Sequence, residues 1–113
     1  MNMTRTLVLA LATFAMPTLA ATEIAKPEKA ATCAACHGEI GVSAIGMYPT
    51  LAGQYANYLE HSLKDYRSGA RKNALMGAQA ANLSDAEIRQ LAKWYSVQQG
   101  PLYTPSVHGA LKP

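Results

Sequence analysis

The stretch Ala31–Gly41, ATCAACHGEIG, holds both cysteines of the chain, Cys33 and Cys36, with His37 directly behind the second. Two thiols three residues apart suit a redox dithiol, half of a structural metal site, or a covalent anchor for a prosthetic group. The rest of the sequence discriminates among these three.

At the N-terminus, MNMTRTLVLALATFAMPTLA combines one positive charge at Arg5, an apolar run from Leu7 to Ala15 and small residues near Ala20. This is the layout of a secretory signal peptide over residues 1–20, with Thr18 and Ala20 suited to a cleavage site. Thr13 and Pro17 interrupt a run already short of the ~20 apolar residues that span a bilayer, so no transmembrane anchor is expected after cleavage. The expected compartment is the periplasm, where thiols oxidise unless they are engaged. Without Arg5 the chain keeps nine basic and seven acidic side chains. That near balance, with no basic run, argues against nucleic acid as a partner.

Residues 21–27 read as a flexible leader, 28–100 as one small domain, and 101–113, with three of the six prolines, as an irregular tail. A chain this short buries little apolar surface of its own, so a staple or a large cofactor is expected. Alanine and lysine favour a helix from Glu28 through Cys36, after which Gly38 to Gly53 read as an irregular loop. Tyr55, Leu59, Ser62 or Leu63, and Tyr66 recur at helical spacing, and Gly69 ends that helix. In LSDAEIRQLAKWYSVQQG, Ser84 and Glu87 form a capping box, Ile88, Leu91, Ala92 and Tyr95 make an apolar stripe, and Gly100 is placed to cap the end. The segment ARKNALMGAQAAN between the last two helices reads as a second loop. The expected fold class is therefore all-α, with three main helices and two loops of roughly 15 residues, a length that calls for something to wrap or a site to carry.

A dithiol catalyst needs its cysteine pair at the start of a helix that follows a strand, and no strand precedes Cys33. Structural zinc needs four ligands, and a second pair is missing. One covalently bound haem c accounts for everything at once: Cys33 and Cys36 form thioethers on one helical turn, and His37 reaches the iron from the same side. His37 would bind through Nε2, so its Nδ1–H needs a hydrogen-bond acceptor. For the sixth position Met76 is favoured, because a whole helix separates it from His37. Met47 is only ten residues beyond His37 and reads as an apolar plug. His61 and His108 read as surface residues.

The residues CAACHG, YPTLAGQ, YRSGAR, Met76 and LSDAEIRQLAKWY, in this order and spacing, resemble the small class I cytochromes c of bacteria, in particular the short type repeated in diheme cytochromes. The resemblance spans Pro27 to Gln98. It implies an all-helical class I cytochrome c fold wrapped around one haem, with His37 and Met76 as axial ligands and the Pro49 carbonyl as acceptor for the His37 Nδ1–H. One departure concerns the first helix, which often carries an aromatic before the first cysteine. Here Ala30 and Ala31 stand there, so either Trp94 reaches further or the helix sits closer.

Two strong axial ligands leave no position for a substrate, so the chain is expected to be no enzyme. It is expected to be a monomeric carrier that shuttles one electron between a donor and an acceptor redox protein, at a positive potential. The alternative is a haem-bearing subunit of a periplasmic dehydrogenase complex, with Leu102, Tyr103, Val107 and Leu111 as a docking arm. A haem enzyme or gas sensor would require an open sixth position. The expected cavity lining is Leu51, Tyr55, Leu59, Leu63, Leu75, Ile88 and Leu91, and the expected steering charges are Lys26, Lys29, Lys64, Arg67, Arg71, Lys72 and Lys93.

Overall fold

A computed structural model describes residues 23–105. The signal peptide expected at 1–20, the start of the leader and the tail beyond Pro105, with Val107, His108 and Leu111, lie outside the described residues. Four helices follow one another: α1 (Ala30–His37), α2 (Ala56–Ser68), α3 (Ala74–Ala80) and α4 (Asp85–Ser96). The described residues contain no strand.

The expectation of three main helices is thus corrected by α3, which occupies what the sequence suggested was loop. Gly77 reads as a breaker, yet a single glycine costs a helix only about 1 kcal/mol against alanine. Its neighbours Ala74, Leu75, Met76, Ala78, Gln79 and Ala80 are good helix formers. Asn73 takes an extended backbone, and its side-chain oxygen accepts the Met76 N–H at 2.9 Å, which satisfies one of the orphan donors of the first turn. Packing of α3 on α2 supplies the rest.

The other boundaries have local causes. Gly69 ends α2 in the left-handed conformation that glycine adopts without strain, at φ 80°. In the last turn before it, Arg67 ties the two long helices together, donating to the Leu83 carbonyl at 2.8 Å and to Asp85 at 2.6 Å. The expected capping box opens α4: the Glu87 N–H donates to Ser84 Oγ at 3.2 Å, and the Ser84 N–H to the Glu87 carboxylate at 2.8 Å. Replacing Ser84 by alanine removes one of these bonds. The expected cost is about 1 kcal/mol, and thermal unfolding of the haem-loaded protein should show a midpoint lower by about 5 °C. Gly100 does not cap α4, which ends at Ser96. A Cβ at Gly100 would stand 2.7 Å from that of Ala52, so the glycine permits a close approach of two segments of chain.

Packing centres on α2 and α4, with α3 against α2. Among the described residues the buried apolar ones are Ala30, Ala52, Leu59, Ala80, Ile88, Leu91, Ala92 and Tyr95, and of these only Ile88 and Leu91 are large and fully enclosed. Half of that set is alanine. The core therefore holds chain close to chain but lacks the bulk that stabilises an ordinary domain.

The meeting of α1 with α4 answers the question raised by the missing aromatic. Ala30 is fully buried, and the buried Tyr95 hydroxyl donates to its carbonyl oxygen at 3.3 Å. Burial pushes the Tyr95 phenol well above its usual range, so the group stays a neutral donor. Trp94 is half-buried against the same cluster. It is the Tyr95 hydroxyl that bonds to the first helix.

Candidate functional site

Four of the core residues, Leu59, Leu91, Ala92 and Tyr95, also line a cavity of about 830 Å³. From α1 and its flanks come Lys29, Thr32, Cys33, Cys36 and His37, and from the following loop Met47, Tyr48, Pro49 and Leu51. Helix α2 contributes Tyr58, Leu59, Ser62, Leu63 and Tyr66, α3 contributes Leu75, Met76 and Gln79, and α4 adds Leu91, Ala92 and Tyr95. Two of the expected lining residues are elsewhere. Ile88 is enclosed in the protein core, and Tyr55 faces the C-terminal segment, where its hydroxyl donates to the Pro105 carbonyl.

Cys33 and Cys36 are both partly buried, and no disulfide joins them. Desolvation pushes the Cys33 thiol above its usual range, with the neighbouring Cys36 adding to it against a backbone hydrogen bond. A redox-active cysteine needs the opposite shift, toward thiolate. Among the described residues no cluster of three or more His, Cys, Asp or Glu could hold a metal ion, which removes the zinc alternative there.

His37 is 6% exposed, and its Nδ1 lies 2.8 Å from the Pro49 carbonyl oxygen. A carbonyl can only accept, so the proton sits on Nδ1 and Nε2 keeps its lone pair free for a metal. The Tyr48 ring packs edge-on against the imidazole with centroids 6.2 Å apart, which limits its rotation.

Met76 and Met47 both line the cavity, but Met47 is 78% exposed whereas Met76 is half-buried. His61 is exposed, is absent from the lining and sits 3.3 Å from Asp65 on its own helix.

One cluster escaped the sequence reading. Tyr58, Ser62 and Tyr66 follow at four-residue intervals on α2, so all three share one face, and Arg71 folds back over them. Its guanidinium lies 4.8 Å from the Tyr66 ring centre and 3.4 Å from Ser62 Oγ, and hydrogen bonding to Arg71 lowers the Tyr58 phenol below its usual range. The spacing is visible in the sequence, but there Tyr66 reads as part of an apolar stripe with Tyr55 and Leu59, and Arg71 as one surface charge among several. Three of the other charges are paired: Lys26 with Glu39, Lys64 with Glu60 at 2.6 Å, and Arg67 with Asp85 at 2.6 Å.

The cavity fits a large, flat, mostly apolar group carrying an anionic edge. Its volume lies in the upper part of the usual range for cofactor pockets. Two thiols and a metal-ready imidazole come from one helical turn, and Arg71 offers a cation at its border. Left empty, these apolar walls would stand against water, so a guest that fills the cavity would add the burial that the alanine-rich core lacks.

Residues 24–96 match the family model described as Cytochrome c. The chain belongs to the cytochrome c family. Cytochrome c-554(548) of Halomonas halodenitrificans is 48% identical over 75 residues, which cover 64% of this chain and 90% of that protein. A protein of Thiomonas intermedia named thiosulfate dehydrogenase electron acceptor is 46% identical over 74 residues, covering 64% of this chain and 34% of its own. Among solved structures, reduced cytochrome c4 from Pseudomonas stutzeri is 33% identical with a TM-score of 0.56, covering 59% of this chain and 38% of that one. This cytochrome thus spans most of the first relative but little more than a third of the other two.

It is a small class I cytochrome c domain of the c4, c-554 and c-553 type, and such proteins are electron carriers, not catalysts. The cysteine pair is consistent with covalent haem c attachment. Class I cytochromes c of this type are typically periplasmic, and no helix among the described residues is long and apolar enough to cross a membrane.

Proposed function

We propose that this cytochrome is a periplasmic one-electron acceptor for a dehydrogenase, carrying a single covalent haem c. The observation that carries the redox site is the His37 proton committed to Pro49, which leaves Nε2 available in a cavity flanked by Cys33 and Cys36. Cys33 and Cys36 are the thioether positions, His37 and Met76 the axial ligands, and the Pro49 carbonyl orients His37. Arg71, with Tyr58, suits a propionate. Residues 1–20 serve as the export signal, 28–100 as the redox domain and 101–113 as a tail. The mature protein is a monomer.

When bound, the haem supplies one reversible electron at iron. The chain's own residues set the terms. Met76 sulfur favours the ferrous state more than a second imidazole would, and the leucines of the lining exclude water, which penalises the ferric charge. With His37 and Met76 as its ligands, the iron would have no coordination site left for a substrate. Met47, Tyr58 and Leu75 line the cavity and are also exposed, which provides a small apolar rim of the sort that brief electron-transfer encounters use.

The dehydrogenase reading draws support from the Thiomonas intermedia relative, whose name describes an electron acceptor of thiosulfate dehydrogenase. The freely diffusing shuttle keeps one observation in its favour, since cytochrome c-554(548) is matched over 90% of its length by this one domain. Incubating the ferric protein with a periplasmic extract of its host and thiosulfate separates the two. Thiosulfate-dependent reduction is expected, together with retention of the cytochrome by the reducing fraction on gel filtration. Reduction without retention would favour the shuttle, and no thiosulfate dependence would remove this substrate class.

A further inference from the structure

The segment after α4 returns to the loop that holds His37. Gly53 is fixed from two sides: its N–H donates to the Tyr95 carbonyl at 3.0 Å, and its own carbonyl accepts the Thr104 hydroxyl at 2.7 Å. Two residues on, the Tyr55 hydroxyl donates to the Pro105 carbonyl. Gly100 lies against Ala52, which is fully buried, and any side chain at Gly100 would collide with it and crowd Val42.

On its other side the same loop is tied to itself. The Leu51 and Ala52 N–H groups both donate to the Gly41 carbonyl, at 2.7 and 3.1 Å. A Cβ at Gly41 would lie 2.7 Å from the Tyr95 ring, and its φ of 85° is strained for other residues, so this fold-back depends on glycine. No helix or strand lies between α1 and α2. The carbonyl of Pro49, two residues before Leu51, is therefore held by loop bonds alone, which include Tyr48 N–H to the Ile45 carbonyl and Gln54 N–H to the Leu51 carbonyl, both at 3.1 Å, and by what holds Gly53 and Tyr55.

We propose that residues 100–105 act as a strap that fixes the Pro49 carbonyl and, through it, the ring of His37, with Thr104 as a positioning residue for the axial ligand. This rests on the reading of His37 as an iron ligand. Thr104 is half-buried and spans 51 positions of sequence to meet its acceptor. Its hydroxyl does for the loop what a ladder of backbone bonds does in a strand. Removing it frees the Gly53 carbonyl, and loop openings that break the His37 to Pro49 bond become more frequent. A less firmly held Nδ1–H also changes the basicity of the ligand nitrogen, so the potential should move with it.

The test uses the haem-loaded mature protein in its ferrous form. Proton NMR follows solvent exchange of the His37 Nδ1–H, and a redox titration follows the midpoint potential, in wild type, Thr104→Val and Thr104→Ser. Thr104→Val is expected to speed ring-proton exchange by about tenfold, the order set by loss of one hydrogen bond, and to shift the potential. Thr104→Ser is expected to restore both. The amides of Leu63 and Leu91, on α2 and α4, should exchange at wild-type rates in every variant. An unchanged ring-proton rate in Thr104→Val overturns the strap, as does an equal acceleration at Leu63 and Leu91, which would mark a general loss of stability. Failure of the ligand reading has a separate signature: a wild-type ferric spectrum lacking the far-red charge-transfer band of an iron–methionine bond.

Discussion

A chain with alanine at both Cys33 and Cys36 is expected to lose its haem on purification and most of its helical circular dichroism with it. The eight buried apolar residues, four of them alanine, cannot offset the conformational entropy of ordering about 80 residues, which runs at roughly 1–2 kcal/mol each for backbone alone. In the folded protein Leu51, Leu59, Leu63, Leu75 and Leu91 face the cavity, and without a guest these side chains lose the burial that would stabilise the helices presenting them. The single replacements should be milder, because one thioether and His37 still tether the macrocycle. A thiol-free chain retaining wild-type helix content without haem would show that the described core suffices alone, and would undercut the fit between cavity and cofactor.

Replacing Met76 by alanine is expected to erase the far-red ferric band, allow the reduced protein to take up carbon monoxide at neutral pH, and lower the midpoint potential by on the order of 0.2 V, within the ~0.8 V span that axial ligation commands. Met47→Ala should leave all three properties as they are. The two methionines make a stringent pair, since both border the same cavity and differ mainly in exposure and in the element that carries them. Loss of the band in the Met47 variant and its survival in the Met76 variant would reverse the ligand assignment.

Much of this was legible in the sequence because it is local. The cysteine pair with its histidine, the Ser84–Glu87 box and the spacing of Leu59 and Leu63 each state their geometry within a few residues. Long-range contacts were not legible. Gly100 looked like a helix cap because glycine after an apolar stripe so often is one, and only the approach of Ala52, nearly fifty residues earlier, reveals its reason. Helix α3 is hidden in a basic, glycine-containing stretch that reads as loop, although Asn73 and the six helix formers around Gly77 favour a capped helix. The Arg71 cluster required knowing that the chain turns back at Gly69 onto the face of α2. Ile88 and Tyr55 carried the right periodicity for the cavity, yet periodicity does not say which of two apolar surfaces a residue serves.

The amide of Met76 is the group that Asn73 caps, in a helix of seven residues. A helix that short has almost no stability of its own. The N–H that takes the Asn73 cap of α3 and the sulfur that would close the iron therefore belong to one residue, and they should let go together. Warming the ferric protein should bleach the far-red band well before α2 and α4 melt, so that a colour change measures the fraying of two turns of helix.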